Sequence, residues 1–217
     1  MKLTLSLLSL GVFLSVFSTV GASRLNAQDY HHFTFNVGGG FTGITGDQAG
    51  KLDHGGNFQA GAGFNVNQYL GILGTFTFNQ LGVTRSALDA AEQPDGNARV
   101  YSLTFDPVVR FPLFGGVRGY VLGGGGWLRR TVQFTKPTLA QVTIFDPWWG
   151  YFGPALIPVN QVLGSVSSNA GAVDAGAGLD IPLPRTNAKL YVEARYIRGF
   201  TSRENTDVVP LTVGLRW

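Results

Sequence analysis

Hydrophobic and polar residues alternate with a period of two through most of the chain after residue 28. No window in this part has the sustained 3.6-residue period of a helix. Successive side chains of a strand point to opposite faces, so the alternation predicts strands. The clearest example runs from Asn57 to Val66, with Phe58 and Phe64 on one face and Asn65 on the other. Eight windows show the pattern, at approximately 33–41, 57–66, 70–79, 101–110, 120–129, 172–181, 189–196 and 209–217.

The segments between these windows are alternately long and short. Three of them are short, at 67–69, 111–119 and 182–188, and these alternate with long segments at 42–56, 80–100, 130–171 and 197–208. An antiparallel up-and-down meander with this spacing has every short turn at one end and every long connection at the other.

One face of the predicted strands collects large apolar side chains and carries no charge. The opposite face carries Gly, small polar residues and nine charged side chains. In the fifth window this division puts Tyr120, Leu122 and Leu128 on the apolar face and Arg129 on the charged face. The nine charged residues are Asp106, Arg110, Arg129, Asp174, Asp180, Lys189, Glu193, Arg195 and Arg216.

Two closed architectures accommodate eight antiparallel strands with such faces. A soluble lipocalin-like barrel hides its apolar face inside, whereas a membrane barrel turns it toward lipid. The polar face here has much Gly and lacks the Lys and Glu of a soluble surface. Windows of about nine residues also match the ~9–11 residues that a tilted strand needs to cross a bilayer. We therefore predict an all-β, eight-stranded antiparallel up-and-down transmembrane β-barrel with short periplasmic turns and long extracellular loops. A soluble lipocalin-like periplasmic binder is the alternative.

The first 27 residues have the pattern of a secretory signal peptide. Lys2 precedes an uncharged apolar run from Leu3 to Val20, and small residues allow cleavage after Ala22 or Ala27. The run is short and contains four Ser and two Thr, which disfavours a membrane anchor. We therefore predict a signal peptide over 1–27 and an exported barrel domain over 28–217.

Composition removes several other classes of protein. Only 13% of residues are charged and 31 are Gly, which excludes a coiled coil. Removing Lys2 and Arg24 from the 16 basic residues leaves 14 against 13 acidic residues, so the charge balance gives no reason to expect a nucleic-acid partner. The chain has no Cys, so an exported domain cannot rely on disulfides.

The carboxyl terminus, VPLTVGLRW, alternates apolar residues and ends on an aromatic one. Val209, Leu211, Val213, Leu215 and Trp217 occupy the alternate positions. This pattern resembles the terminal signature that the barrel-assembly machinery reads in bacterial outer-membrane barrels, although Phe is commoner than Trp at the last place. The predicted mature chain resembles the small OmpA/OmpX-like outer-membrane barrel family. The resemblance implies a bacterial outer-membrane location, a lipid environment and recognition by the assembly machinery, but little chemistry.

The nine charged residues are predicted to lie in the barrel interior. Side chains fill the interior of an eight-stranded barrel, and unpaired charge there is costly. We therefore expect a charge network that closes the lumen. A narrow channel for small solutes, with a gated pore or a proton path, is the alternative.

The segment 130–171 is the longest between predicted strands and includes FDPWWGYFGPALIPVNQ from Phe145 to Gln161. A loop of this length is usually functional or has its own elements. In one hypothesis strands five and six extend above the membrane and the aromatic residues pack as a cap. In a second, Trp148, Trp149, Tyr151 and Phe152 contact an extracellular ligand or surface. In a third, Val142–Phe145 and Val159–Val166 add a hairpin to make a ten-stranded barrel.

Nothing in the sequence indicates an active site. Its three His residues are His31, His32 and His54, and no Ser is placed beside any of them as nucleophilic catalysis requires. His31 and His32 are adjacent and would point to opposite faces of a strand, which disfavours a metal pair. We therefore predict no catalytic residues, no cofactor and no metal, and a barrel with a structural or surface-interaction role.

Overall fold

The computed structural model describes residues 32–148, 150–201 and 204–217, and they form a closed barrel of eight antiparallel strands. Each strand pairs with the next, and the last pairs with the first. The predicted eight-stranded fold is therefore confirmed. The predicted signal peptide and its cleavage sites lie outside the described residues. The strands are β1 Phe33–Thr45, β2 Leu52–Asn65, β3 Leu70–Val83, β4 Asp95–Pro112, β5 Arg118–Asp146, β6 Tyr151–Pro182, β7 Lys189–Gly199 and β8 Thr206–Arg216.

The two ends of the barrel differ in their connections. One end, the turn end, holds the start of β1, the end of β8 and the short connections 66–69, 113–117 and 183–188. There Asn67 accepts hydrogen bonds from the backbone of Tyr69 and Leu70 at 2.8 Å, which tightens the turn between β2 and β3. The other end, the loop end, holds the remaining connections, including the short helix α1, Arg85–Ala90. None of the helices in the described residues is long and apolar enough to span a membrane.

The outer wall is apolar, and the buried polar and charged side chains lie in the interior. On β1, for example, Phe33, Phe35 and Phe41 are exposed on the outside, whereas Asn36 and Thr42 are buried within the barrel. A soluble lipocalin-like barrel has the opposite distribution. The lipocalin-like alternative is therefore wrong.

The face assignment is wrong for one strand, β5. Tyr120, Leu122 and Leu128 are buried inside the barrel, while Trp127 and Arg129 lie on the outer wall. The reason is that both faces of β5 are apolar or Gly through its middle, so alternation alone does not distinguish them. Inside, Leu128 packs in an apolar layer near the loop end. The layer consists of Ile44, Leu52, Leu81, Ala98, Val100, Leu128, Ala172, Ile197 and Val208.

Most of the segment 130–171 is strand. β5 pairs with β4 as far as Thr135, and β6 pairs with β7 only from Ala172 onward. Beyond these limits β5 and β6 continue as a two-stranded hairpin, with Leu139 opposite Pro158 and Phe145 opposite Phe152. We call residues 136–171 the hairpin arm. The predicted extension of strands five and six is confirmed, and the ten-stranded alternative is wrong because the arm lies outside the closed ring.

Candidate functional site: the barrel interior and the hairpin arm

Arg195 is the centre of a charged cluster inside the barrel. One terminal guanidinium nitrogen of Arg195 donates to Asp106 at 2.7 Å and to Asp174 at 2.9 Å. The other donates to Glu193 at 3.0 Å. The first also donates to Thr104 at 3.0 Å. These carboxylates come from β4, β6 and β7, and their side chains are fully buried. Three buried carboxylates therefore share one cation in the barrel interior.

Arg216 forms a second centre next to the first. Its guanidinium donates to Asp180 at 2.7 Å and approaches the second oxygen of Glu193 at 3.5 Å. The same group lies over the rings of Tyr120 and Tyr191, 4.5 and 4.8 Å from their centroids, at distances typical of cation–π contacts. Glu193 thus joins the two arginines.

Neutral side chains complete the hydrogen bonds of Glu193. The Tyr120 hydroxyl donates to one carboxylate oxygen at 2.7 Å, and the Gln59 amide donates to the other at 2.9 Å. Charge-assisted hydrogen bonds of this kind offset part of the cost of burying a carboxylate. The sequence analysis missed Tyr120 because it assigned β5 to the wrong face. It could have found Tyr191, which alternates in phase with Lys189 and Glu193.

The structure places eight of the nine predicted interior charges inside the barrel. Asp106, Asp174, Asp180, Glu193, Arg195 and Arg216 form the network described above, with four acidic and two basic members. Arg110 lies near the turn end, where it donates to Asn65 at 2.8 Å. Lys189 is half-buried at the same end. Arg129 is exposed on the outer wall, so its predicted interior position is wrong.

The charge network and the apolar layer lie one above the other along the barrel. On β7, Glu193 and Arg195 precede Ile197 of the apolar layer in chain order. On β4, Val100 of that layer precedes Asp106. The two strands run in opposite directions, so both orders put the apolar layer nearer the loop end. The interior therefore has a charged zone toward the turn end and an apolar zone toward the loop end.

The hairpin arm carries exposed apolar side chains. Trp148 is 91% exposed, Phe152 is 71% exposed and Tyr151 is 58% exposed. The rings of Phe145 and Phe152 contact each other across the hairpin, with centroids 5.2 Å apart. A packed aromatic cap is therefore wrong, because Trp148, Tyr151 and Phe152 are exposed. Trp149, the fourth predicted contact residue, lies outside the described residues.

The carboxyl-terminal residues close the barrel against β1. The backbone N–H of Trp217 donates to Phe35 at 2.8 Å, and the backbone N–H of Phe35 donates back at 3.1 Å. The Thr34 hydroxyl also donates to the Trp217 carbonyl, at 2.8 Å. Leu211, Val213, Leu215 and Trp217 are exposed on the outer wall, in phase with Val209.

A polar contact joins two connections at the loop end. Glu204 pairs with the ammonium of Lys51 and accepts a hydrogen bond from Gln48 at 2.6 Å. The hydrogen bond from Lys51 and its charge lower the pKa of the Glu204 carboxyl below the ordinary value. Among the described residues, no group of three or more His, Cys, Asp or Glu is placed to hold a metal ion.

Solved structures with the same fold are outer-membrane barrels. Neisserial surface protein A is 14% identical, with a TM-score of 0.57, over 87% of this chain and 98% of its own. A major outer membrane protein from Thermus thermophilus is 15% identical, with a TM-score of 0.52, over 86% and 99%. Ail, the attachment invasion locus protein of Yersinia pestis, is 18% identical, with a TM-score of 0.50, over 86% and 100%. At these identities the likeness shows the fold alone.

The search of curated proteins found no match. A family model does match, over residues 12–217, and it describes an outer membrane protein beta-barrel domain. The match covers nearly the whole chain and agrees with the closed ring, the apolar outer wall and the polar interior. This chain belongs to the family of outer membrane protein beta-barrel domains and is a protein of the bacterial outer membrane.

Proposed function

We propose that this barrel is a non-enzymatic surface-contact protein that presents the hairpin arm outside the cell. The observation that carries the proposal is the exposed apolar surface of the arm, which continues past the last pairs of β5 with β4 and of β6 with β7. Large apolar patches exposed to water usually mark interaction sites. An uncharged target of apolar chemistry fits this surface best.

The length of the arm keeps its tip away from the bilayer. The 11 residues of β5 from Lys136 to Asp146 extend roughly 37 Å along the strand. They begin beyond Arg129, which marks the end of the apolar wall on this strand. The tip aromatics therefore cannot be covered by the lipid around the barrel, and a partner on another surface is the occupant that we propose.

The distribution of charge along the arm indicates which chemical class of partner it binds. From Pro147 to Val173 the chain has no charged residue. Ail was crystallised in complex with a heparin analogue, sucrose octasulfate. A barrel of this fold can thus bind a sulfated ligand, but the part of the arm from Pro147 onward has no cation to hold sulfate and favours an apolar target.

The packing of the interior supports a barrel that does not conduct. Arg195, Arg216 and Tyr120 are almost completely buried, and the apolar layer lies between them and the loop end. An ion would have to displace this layer and then pass a network of paired charges. The alternative, a narrow channel for small solutes, predicts discrete conductance steps in a planar bilayer, and a barrel without such steps supports the proposal.

Adhesion of vesicles that carry the purified barrel tests the contact function. The probes are an alkyl-coated surface and a heparin-coated surface. We expect wild-type vesicles to bind the alkyl surface in preference to heparin. The variant with Trp148→Ala and Phe152→Ala should lose most of this binding. Equal binding by the variant and the wild type would contradict the proposal.

The matched control is Phe200→Ala, because Phe200 is an exposed aromatic residue at the loop end but outside the arm. This control should bind as the wild type does. A loss of binding in the control as great as that in the arm variant would mean that apolar area at the loop end in general, and not the arm, makes the contact. A heat-dependent gel shift verifies that each variant forms a closed barrel.

A further inference from the structure

The two edges of the hairpin arm differ in their capacity to pair with another strand. Among the described residues, no strand pairs with the outer edge of β5 beyond Thr135 or with that of β6 before Ala172. Backbone N–H and C=O groups along an unpaired edge are a template for a further strand. What each edge can bind depends on which residues turn these groups outward.

The prolines of the arm identify the outward-facing residues. In an antiparallel pair of strands, opposed residues alternate between hydrogen-bonded pairs and pairs whose backbone groups point away from each other. Proline has no N–H, so it fits only the second kind without loss of a bond. Three prolines of the paired strands fall in one alternate set of pairs, which contains Pro137 with Asn160, Leu139 with Pro158, and Thr143 with Pro154. This set therefore turns its backbone groups outward.

Proline blocks one edge of the arm and leaves the other open. On β6, Pro154 and Pro158 occupy alternate members of the outward set, so no two successive members both donate an N–H. Proline at such positions is a usual means of preventing strand addition. On β5, every outward-facing residue from Leu139 to Phe145 has an N–H. An extended chain can therefore add to the β5 edge but not to the β6 edge.

The charges on the β5 edge favour a second copy of this chain as the added strand. Lys136 and Asp146 are the two charged residues between these positions, and each is five residues from Gln141. If two copies of the edge pair antiparallel about Gln141, each Lys136 lies opposite the partner's Asp146. Opposite charges directly across two strands stabilise the pair. The edge is therefore complementary in charge to its own copy.

The same register matches the rest of the edge. Gln141 is opposite the partner's Gln141, and Leu139 is opposite the partner's Thr143. These are outward-facing residues, so they meet as hydrogen-bonded pairs. Ile144, which is 51% exposed in the single chain, lies opposite the partner's Thr138. Cross-strand pairs of β-branched residues contribute to the stability of a sheet.

The antiparallel direction fixes where the partner lies. β5 runs from the turn end of the barrel to the tip of the arm. A β5 strand of opposite direction therefore belongs to a barrel whose loop end faces this one, in the outer membrane of another cell. Two arms in the same membrane would run parallel. At equal height their Lys136 residues would face each other, as would their Asp146 residues, and like charges across strands are unfavourable.

The base of the arm has space for the tip of the partner. In this register the partner's β5 passes Lys136 and then turns back toward its own β6. A cleft of about 580 Å³ lies at this place. Lys136 and Leu163 of the arm line it, together with Pro94 of the connection between β3 and β4. This connection leads into β4, the strand next to β5, so the cleft is on the side of the open edge.

We propose that the β5 edge of the hairpin arm pairs antiparallel, about Gln141, with the same edge of a second copy in a facing membrane. The two arms then form one sheet between two cells, in the order β6, β5, β5, β6. The inference rests on the proposed contact function and names the partner of the arm.

Aggregation of phosphatidylcholine vesicles that carry the purified barrel tests the pairing, with turbidity as the measurement. We expect wild-type vesicles to aggregate. Gln141→Pro removes an outward N–H from the β5 edge and no hydrogen bond within the arm, and it should abolish aggregation. Leu156→Pro is the matched control, because Leu156 is opposite Gln141 in the outward set of the β6 edge. This control should aggregate as the wild type does, and equal aggregation of the two variants would overturn the proposal.

Exchange of the two charges tests the register and the facing arrangement. Vesicles with Lys136→Asp and vesicles with Asp146→Lys should each aggregate more slowly than the wild type, because like charges then meet at both ends of the edge. A mixture of the two populations should aggregate at the wild-type rate, since opposite charges meet again. The same mixture with Gln141→Pro in both variants should stay dispersed, which controls for general attraction between the vesicles. A mixture no faster than either population alone would overturn the proposal.

Failure of the pairing can be distinguished from failure of the contact function. Gln141→Pro vesicles should still bind the alkyl-coated surface, because Trp148 and Phe152 are intact. Wild-type vesicles that bind this surface but stay dispersed would overturn the pairing and leave the contact function standing. Wild-type vesicles that do neither would contradict both. The heat-dependent gel shift verifies that each variant forms a closed barrel.

Discussion

Arg195 is a single residue on which much of the interior charge balance depends. It forms ion pairs with Asp106, Asp174 and Glu193 at 2.7 to 3.0 Å, and all four side chains are almost completely buried. A buried cluster of this kind adds little net stability over an apolar core, yet loss of one partner leaves charges uncompensated. The network therefore affects stability mainly when one of its members is removed and the remaining charges lose their partner.

Replacing Arg195 with Met should destabilise the barrel by about 3–5 kcal/mol, because Asp106 and Asp174 then lose their cation and Glu193 keeps only Arg216, at 3.5 Å. The measurement is the free energy of unfolding in urea, in lipid vesicles. Arg85→Met is the matched control, since Arg85 is exposed, and its effect should stay within about 0.5 kcal/mol. A similar loss of unfolding free energy in the two variants would show that Arg195 contributes no more to stability than an exposed arginine.

Leu128 provides a test of the corrected face of β5. Its side chain is buried in the apolar layer, so Leu128→Ala should leave a cavity and cost about 2–5 kcal/mol. Val121 lies on the outer wall of the same strand, where lipid can fill the space left by Val121→Ala. Urea unfolding should therefore separate the two variants clearly. A larger loss for Val121→Ala would restore the original face assignment.

At the scale of elements, alternation predicted the number of strands but not their lengths. Strands β1 to β4, β7 and β8 have clear inner and outer sets, such as Phe33 and Thr34 on β1, because one side meets lipid and the other the interior. The hairpin arm contacts neither lipid nor the barrel interior. Both its sides face water and both carry apolar residues, so no alternation marks residues 136–171 as strand. Pro137, Pro154 and Pro158 lie in the paired strands of the arm, because a two-stranded hairpin has open edges where proline is tolerated.

The same reasoning explains which parts of the candidate site the sequence could predict. Asp106, Asp174 and Glu193 stand out as charges on strands with apolar partners, so their interior positions follow from pattern. The same pattern predicted an interior position for Arg129, and this prediction is wrong. Arg129 lies at the end of the apolar wall, where a charged side chain can face the lipid headgroups. Which carboxylate pairs with which arginine depends on the shear of the closed ring, and a linear pattern does not contain it.

The contact of Lys51 and Gln48 with Glu204 links two loop-end connections and depends on pH. Because the folded-state pKa of Glu204 is lowered, the contact contributes stability above the unfolded-state pKa and loses it as pH falls through the folded-state pKa. The protection factors of the amides in the connection between β7 and β8, which are corrected for the intrinsic pH dependence of hydrogen exchange, should therefore fall below about pH 4.5, the ordinary value for Glu. In Glu204→Gln the protection factors of this connection should already be lower at neutral pH and should change little on acidification. A pH response in that variant as large as in the wild type would assign the effect to another group.

At the scale of the whole molecule, the barrel has apolar residues outside and polar residues inside, the reverse of a soluble protein. Its ring is closed by the pairing of β8 with β1. Trp217 completes the ring through backbone hydrogen bonds to Phe35, which do not require its side chain. The indole is about half exposed on the outer wall at the turn end. Closure and recognition of the terminus are therefore separable properties of one residue.

Replacing Trp217 with Asp should lower the yield of barrel in the outer membrane of expressing cells, because the apolar terminal pattern that we expect the assembly machinery to read is lost. The same variant should still fold from urea into detergent, since the backbone pairs with Phe35 remain available. Trp217→Phe is the control, and it should assemble in cells as the wild type does. The two measurements are the heat-shifted band in the outer-membrane fraction and in the refolded sample. Wild-type yield of Trp217→Asp in cells would show that the terminal aromatic side chain is not recognised, whereas failure in both measurements would assign the defect to folding itself.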